Sequence, residues 1–371
     1  MAIEMEQRAI LVGVDTGRED TRASLSELAA LALSCGITIA GMLWQKRIRV
    51  SAAYFIGRGK TREVADFLAE TRANLVVFDD ELSPSQLRNL EAALDCKVVD
   101  RTVLILDIFA ARARTREARL QVELADWQFL LPRLVGMRAS LGRQVGGVGT
   151  RNKGAGETKL ELDRRKIENR IQSLKRELAR VAGEQDVRRR RRRSAGIPLV
   201  ALVGYTNAGK SSLLNALVAR YGQNRDKQAP AEDKLFATLD TSVRRLILPD
   251  RRAFLLADTV GFISKMPAHL LQAFTSTLSE AREASLLLQV VDAVDRRSGE
   301  QMEVTRRVLA EIGAGDTPIL TVYNKCDLAE WPYPRVQGRN IFMAADGTRP
   351  AGCAELLGAL RAALWGESGN G

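Results

Sequence analysis

Histidine is almost missing from this 371-residue chain, which has one, His269. One imidazole cannot build a histidine metal cage or relay, and no acid is paired with it in the sequence, so it receives no role. Cysteine is scarce too. Cys35, Cys96, Cys326 and Cys353 lie far apart with no CxxC pair, which excludes a zinc ribbon or redox motif and reads as four reduced packing thiols. No run approaches the roughly eighteen apolar residues of a membrane-spanning helix. The first residues, "MAIEMEQRAILVGVD", hold two acids before a short apolar run and do not make a signal peptide. Acids are the minority charge, 45 against 56 Lys and Arg, for a formal net charge of +11. An excess of that size points to a polyanionic partner, nucleic acid before membrane.

What is present divides into three stretches. Over residues 1–110, strand-like runs ("AILVGVD", "ITIAGMLW", "LVVFDD", "KVVD") alternate with helical ones. This pattern predicts a small parallel α/β domain. In "SPSQLRNLEAAL", Ser83 is placed to cap a helix with Pro84 in its first turn. Residues 111–196 carry two heptad seams: Leu120, Leu124, Trp127, Leu131 and Leu134, then Ile167, Ile171, Leu174, Leu178 and Val181. Two such seams predict an antiparallel α-helical hairpin. Thr158 and Glu161 form a capping-box pattern expected to start its second helix. The basic, glycine-rich stretch "RQVGGVGTRNKGAGETKLELDRR" joins helix to helix and fits neither GxxxxGK[ST] nor GxGxxG. It is therefore read as a hairpin tip, not a nucleotide loop.

Most of the charge excess lies on this arm. Between Arg164 and Arg193 there are thirteen Lys or Arg and four Asp or Glu, an excess of nine, ending in six successive arginines. Such a run repels itself unless an anion neutralises it, which favours nucleic acid over a merely solvated face. The candidate phosphate contacts are Arg143, Arg151, Lys153, Arg164, Arg165, Arg188, Arg189 and Arg190.

Residues 197–371 return to α/β alternation and hold the chemistry. "GYTNAGKS", Gly204 to Ser211, matches GxxxxGK[ST] between an apolar strand and a helix, the setting a phosphate loop needs. Its backbone N–H groups, running through Tyr205, Thr206, Asn207, Ala208 and Gly209 to Ser212, can curl around phosphates. Lys210 is placed to reach the β- and γ-phosphates, and Ser211 to ligate Mg²⁺. "DTVG", with Asp258, Thr259, Val260 and Gly261, supplies a carboxylate that would support Mg²⁺ through water and an N–H for the γ-phosphate. In "LFATLD", Phe236 and Ala237 precede Thr238, a candidate second Mg²⁺ ligand on a mobile loop. "NKCD", with Asn324, Lys325 and Asp327, selects GTP over ATP, because guanine offers a carboxylate two donors and adenine would leave it unpaired. Ala344 and Ala345 stand where a further guanine contact, the Ala345 N–H, is expected.

These residues, taken in order, resemble the HflX family of ribosome-binding translational GTPases. "YFIGRGK", "VVFDDELSPSQLRNLE", "DRTVLILDIFAARARTREARLQVELA", "LLPRL", "GETKLELDRR", "VGYTNAGKSSLLNAL", "LFATLD" and "DTVGFI" carry the resemblance over nearly the whole chain. It implies an N-terminal α/β domain, a helical hairpin and a Ras-like P-loop GTPase domain. It also implies binding to the large ribosomal subunit and its RNA, ribosome-stimulated hydrolysis of GTP to GDP and phosphate, and a link to splitting or rescuing stalled or stressed ribosomes. The expected state is a cytoplasmic monomer, associated with ribosomes or membranes. Phe262 stands where many GTPases place the glutamine that orients water. Slow intrinsic hydrolysis is the expectation. Asn207 resembles a K⁺ ligand of GTPases that lack that glutamine. Departures from the family pattern include "GAGET" for "GPGET", a longer segment before "LFATLD", and "AA" for "SA" at 344–345. Two other readings stay open: an RNA- or ribosome-binding GTPase without splitting activity, and an ATP-driven RNA remodeller.

Overall fold

The computed structural model describes residues 7–17, 19–144, 153–194, 196–222, 236, 242–274, 278–345 and 350–366, with the side chains of 134–144, 153–160, 184–194, 268–269 and 272 outside that description. The chain divides into two compact units, Met1–Ala111 with Leu120–Leu178, and Arg112–Arg119 with Ala179–Gly371.

The first unit is built on four parallel strands in the order β2-β1-β3-β4, with β1 Arg8–Asp15, β2 Thr38–Lys46, β3 Leu75–Phe78 and β4 Lys97–Asp100. Every residue of β3 is buried, as a parallel strand covered on both faces requires. Three helices connect the strands: α1 Thr21–Ser34, α2 Arg58–Thr71 and α3 Pro84–Leu94. The predicted start of α3 is present, with Ser83 and Gln86 closing a capping box and Pro84 in the first turn.

Helix α4, Arg101–Arg112, follows β4 directly, and α5, Arg116–Gln144, follows after a short break. The break lies upstream of the first heptad seam, which starts at Leu120. The break comes from Thr115, whose hydroxyl accepts from the Ala118 N–H at 3.2 Å and so restarts the helix as an N-cap. Helix α6 spans Lys153–Ser194. On the two seams, Leu120, Leu124, Ile167, Ile171 and Leu174 are buried. Arg170 of α6 pairs with Glu123 of α5 at 2.6 Å.

One expectation is corrected. Helix α6 begins five residues before Thr158, so Thr158 and Glu161 lie inside the helix and do not cap its start. Extending an existing helix adds one hydrogen bond per residue, which outweighs the penalty of about 1 kcal/mol at each of Gly154 and Gly156. Arg143, Lys153, Arg188, Arg189 and Arg190 have helical backbone with undescribed side chains; Arg151 lies outside the described residues. Arg164 and Arg165 are exposed and pair along the helix with Glu168 and Glu161.

The second unit holds seven strands in the order β10-β11-β9-β8-β5-β7-β6. They are β5 Leu199–Gly204, β6 Ser242–Ile247, β7 Ala253–Asp258, β8 Leu286–Asp292, β9 Ile319–Asn324, β10 Arg335–Gln337 and β11 Asn340–Phe342. The pairs β6–β7 and β10–β11 at the two edges are antiparallel and the rest parallel. Helices α7 Lys210–Tyr221, α8 Ala268–Ala273, α9 Ser279–Arg282, α10 Ser298–Glu311 and α11 Cys353–Trp365 complete it. The central strands β5 and β8 are apolar almost throughout and buried on both faces. Their carboxyl ends, with those of β7 and β9, gather "GYTNAGKS", "DTVG" and "NKCD" at one end of the sheet, where ligands of open α/β folds bind.

Candidate nucleotide site

Gly204 ends β5, and α7 starts at Lys210, so the loop between them is the predicted strand-to-helix turn. Glycine is required at both of its ends. Gly204 has φ +141° and a Cβ there would sit 2.3 Å from the Val290 carbonyl oxygen; Gly209 has φ +91° and a Cβ would meet Asn324 Nδ2 at 2.1 Å. Asn207, at the exposed apex, has φ +61°. Asparagine is among the few side chains that tolerate this left-handed region.

Lys210 is buried, and its Nζ donates to the carbonyl oxygens of Gly204 at 3.1 Å and Tyr205 at 2.6 Å. These contacts use two of its three N–H groups. Burial pulls the Lys210 pKa down to about 8, and the nearby Asp258 carboxylate works against that shift. The Ser211 hydroxyl donates to Asp258 Oδ2 at 2.9 Å, joining the start of α7 to the end of β7. This pairing of a hydroxyl with a carboxylate is an all-oxygen set suited to a hard cation. Among the described residues no group of three or more His, Cys, Asp or Glu could hold a metal. Phosphate oxygens and water would therefore complete such a site.

Asn324 ties the site together from the end of β9. Its Nδ2 donates to the Ala208 carbonyl oxygen at 3.0 Å, and its Oδ1 accepts from the Ala345 N–H at 2.8 Å. The phosphate loop and the 344–345 segment are thus fixed to the same strand end as Asp327, which is exposed on the short turn Cys326–Leu328. Lys325 has φ +64° and pairs with Asp292 at 2.7 Å. The Ala345 N–H, expected to contact guanine, donates here to Asn324 Oδ1.

Two further expectations are refined by the geometry. The Thr259 hydroxyl donates to the Leu202 carbonyl oxygen at 2.6 Å, inside the fold. Phe262 is 1% exposed and packs among Ala201, Val203, Ala257 and Leu287. Its ring is part of the core and points no group at a reacting phosphate. Val260 and Phe236 are also buried, and Ser212 is half-buried in the first turn of α7. Ala237 and Thr238 lie outside the described residues, and the side chain of His269 is likewise undescribed. All four cysteines are free.

Three family models match in sequence order: a GTP-binding GTPase N-terminal region over residues 22–110, a GTP-binding GTPase middle region over 112–192, and a 50S ribosome-binding GTPase over 199–325. The GTPase HflX of Caldanaerobacter subterraneus is 47% identical over 363 residues, covering 98% of this chain and 82% of its own. The chain belongs to the HflX family of GTPases. The GTPase HflX of Escherichia coli K12 is 42% identical over 367 residues, covering 97% of this chain and 84% of its own. A GTP-binding protein from Sulfolobus solfataricus, solved with GDP, aligns over 98% of this chain and all of its own at 22% identity and a TM-score of 0.48. In this HflX-family chain no described helix is long and apolar enough to cross a membrane.

Proposed function

We propose that this protein is a GTP-driven switch on the large ribosomal subunit, and that its output is the splitting or rescue of stalled or stressed ribosomes. The observation that carries the nucleotide part is the double tether of Asn324, which sets an exposed Asp327 beside a phosphate loop whose lysine is already in place. In this reading the loop from Gly204 to Ser212 holds the phosphates, Asp327 reads guanine, and the Gly261 N–H meets the γ-phosphate. Ser211 would ligate Mg²⁺ directly, Asp258 through water, with Thr238 a second ligand. Bound there, the ion neutralises phosphate charge. Burial of Phe262 in the core, leaving no polar side chain there to orient water, supports slow intrinsic hydrolysis; stimulation by the ribosome belongs to the same reading. The exposed Asn207 amide supports a K⁺ ligand at the loop apex.

The ribosomal part is supported by family membership and by the basic arm, whose excess of nine positive charges suits RNA phosphate. In this reading the arm and the glycine-rich tip grip ribosomal RNA, as a cytoplasmic monomer, and binding weakens steeply as salt rises.

Sedimentation of ribosomes with the protein and GTP, a non-hydrolysable analogue or GDP tests the proposal. Separated subunits with GTP or the analogue, and intact ribosomes with GDP, are expected. Binding without separation under every nucleotide would instead mean a ribosome-binding GTPase whose nucleotide only regulates residence.

A further inference from the structure

The segment that follows Asp258 is fastened to the phosphate loop by its backbone and by one side-chain pair. The Thr206 N–H donates to the Phe262 carbonyl oxygen at 2.8 Å, and the Phe262 N–H donates to the Gly204 carbonyl oxygen at 3.1 Å. Tyr205 and Phe262 thus form a parallel bridge. Beyond it, the Ser264 N–H donates to the Tyr205 phenolic oxygen at 2.7 Å, and the Tyr205 and Ser264 hydroxyls are hydrogen-bonded at 2.6 Å. Gly261 directly precedes the first of these fastenings. A Cβ on Gly261 would be 2.8 Å from Lys210 Nζ and 2.9 Å from the Thr206 Cα. Its backbone is therefore pressed against the lysine that serves the phosphates.

We propose that Tyr205 and Ser264 form a clasp that positions the Gly261 N–H for the γ-phosphate. The inference rests on the reading of this site as a GTP site. Phe262 anchors the segment by its ring and by its two backbone bonds to the phosphate loop, while its side chain offers no polar group to the site. Registry of the backbone at 261 therefore depends on the bridge at Phe262 and on the Ser264 contact that holds the chain just beyond it. Tyr205 does this from inside the phosphate loop, so the loop that holds the β-phosphate also sets the distance to the γ-phosphate sensor. Tyr205 is a positioning residue: its hydroxyl acts through Ser264 and Gly261. Because it is 6% exposed, its ring packs whether or not the hydroxyl is present.

That separation makes the test clean. Tyr205→Phe keeps the ring and removes only the hydroxyl. Binding of GDP and of a non-hydrolysable GTP analogue is measured by nucleotide fluorescence, and steady-state hydrolysis by phosphate release, on the full chain. Loss of two hydrogen bonds is expected to weaken the analogue about tenfold and lower kcat by a similar factor, while GDP stays within about twofold. Ser264→Ala keeps the bond from the Ser264 N–H and should lose only about threefold. The double variant should be no worse than Tyr205→Phe alone, since both remove parts of one contact. Equal losses for GDP and analogue, additive losses in the double variant, or no change would overturn the clasp. If Tyr205→Phe does not fold, Ser264→Ala alone decides by the same comparison of the two nucleotides. A wild-type protein that binds neither nucleotide would sink the underlying GTP reading, an outcome distinct from a working wild type with an indifferent variant.

Discussion

At the carboxyl end of β3 in the four-stranded sheet, Asp79 is 1% exposed and enclosed by partners: Arg101 at 2.8 Å and the Ser24 hydroxyl at 2.6 Å. At the carboxyl end of β9 in the seven-stranded sheet, Asp327 is exposed to whatever arrives. The contrast extends to neighbours. Arg101 also pairs with Glu27 at 2.9 Å, and next to it Asp100 accepts from Arg133 at 2.6 Å and from the backbone of Leu82 and Val103. Burial still holds the Asp100 carboxyl above its usual range in spite of those bonds. In the other sheet, Lys210 and Asn324 are equally buried but are fixed by backbone oxygens and N–H groups. The two sheets place polar groups at the same end of parallel strands. One closes its charges on each other and becomes stable structure; the other fixes them with the backbone and keeps the working atoms available.

The largest test of that contrast removes Arg101. Arg101→Ala would leave Glu27 and Asp79 buried without their shared cation, and breaking a buried pair in this way costs about 3–5 kcal/mol. In denaturant titrations the first unfolding transition should move to markedly lower denaturant, with GTP affinity of the remaining folded protein within about twofold. A loss of GTP binding with unchanged stability would mean that this cluster is a site and not a structural knot.

Next in size is Asp327→Asn. Exposure of this side chain predicts no measurable change in stability. Base preference should turn from GTP towards xanthosine triphosphate by about 100-fold, because the amide now offers a donor where guanine needs an acceptor. Retained preference for GTP would break the assignment of Asp327 to base recognition, and lost stability would break the comparison with Asp79.

How much of this was open to sequence reading follows the same division. The phosphate loop was legible because its demands are local: Gly204 and Gly209 hold backbone angles that few residues adopt, within one turn of chain. The Ser83 cap and the heptad positions were legible for the same reason. The Thr115 break was signalled only by a threonine before "REAR", upstream of the first seam. The Asn324 tether to Ala208 spans 116 residues and the Tyr205–Ser264 contact spans 59. Neither has a periodic signature, since each depends on which strands lie side by side. Glu27, Asp79 and Arg101 have no local signature either, since only the fold around β2-β1-β3-β4 brings them together.

Lys210 allows the comparison to be sharpened by pH. In the nucleotide-free fold its pKa lies near 8, below the ordinary lysine range, because burial disfavours the ammonium. A bound phosphate favours the ammonium and raises that pKa. Affinity for GTP should therefore be complete below about pH 7 and fall as pH rises above 8, by up to about tenfold per unit, until the pKa of the complex is reached. The free fold behaves oppositely. The burial penalty on the charged lysine is present below pH 8 and is relieved between there and the unfolded value of 10.5, so this group's contribution to stability rises with pH. Affinity that is flat from pH 7 to 9.5 would mean that the ammonium is not what the phosphates meet.

The smallest expected effect separates two duties of Asn207. Its φ of +61° already explains an asparagine at the loop apex on conformational grounds, without a ligand. Asn207→Gly keeps that backbone angle accessible and removes only the amide. Phosphate binding should then stay within about twofold, because the N–H groups of the loop are preserved. The few-fold faster hydrolysis expected in KCl over NaCl at matched ionic strength should disappear. If the wild type shows no preference for K⁺, the apex amide is conformational only. If the variant keeps the preference, the cation is held elsewhere. Either result would place Asn207 with the groups that are structurally satisfied and not with those kept open for the nucleotide.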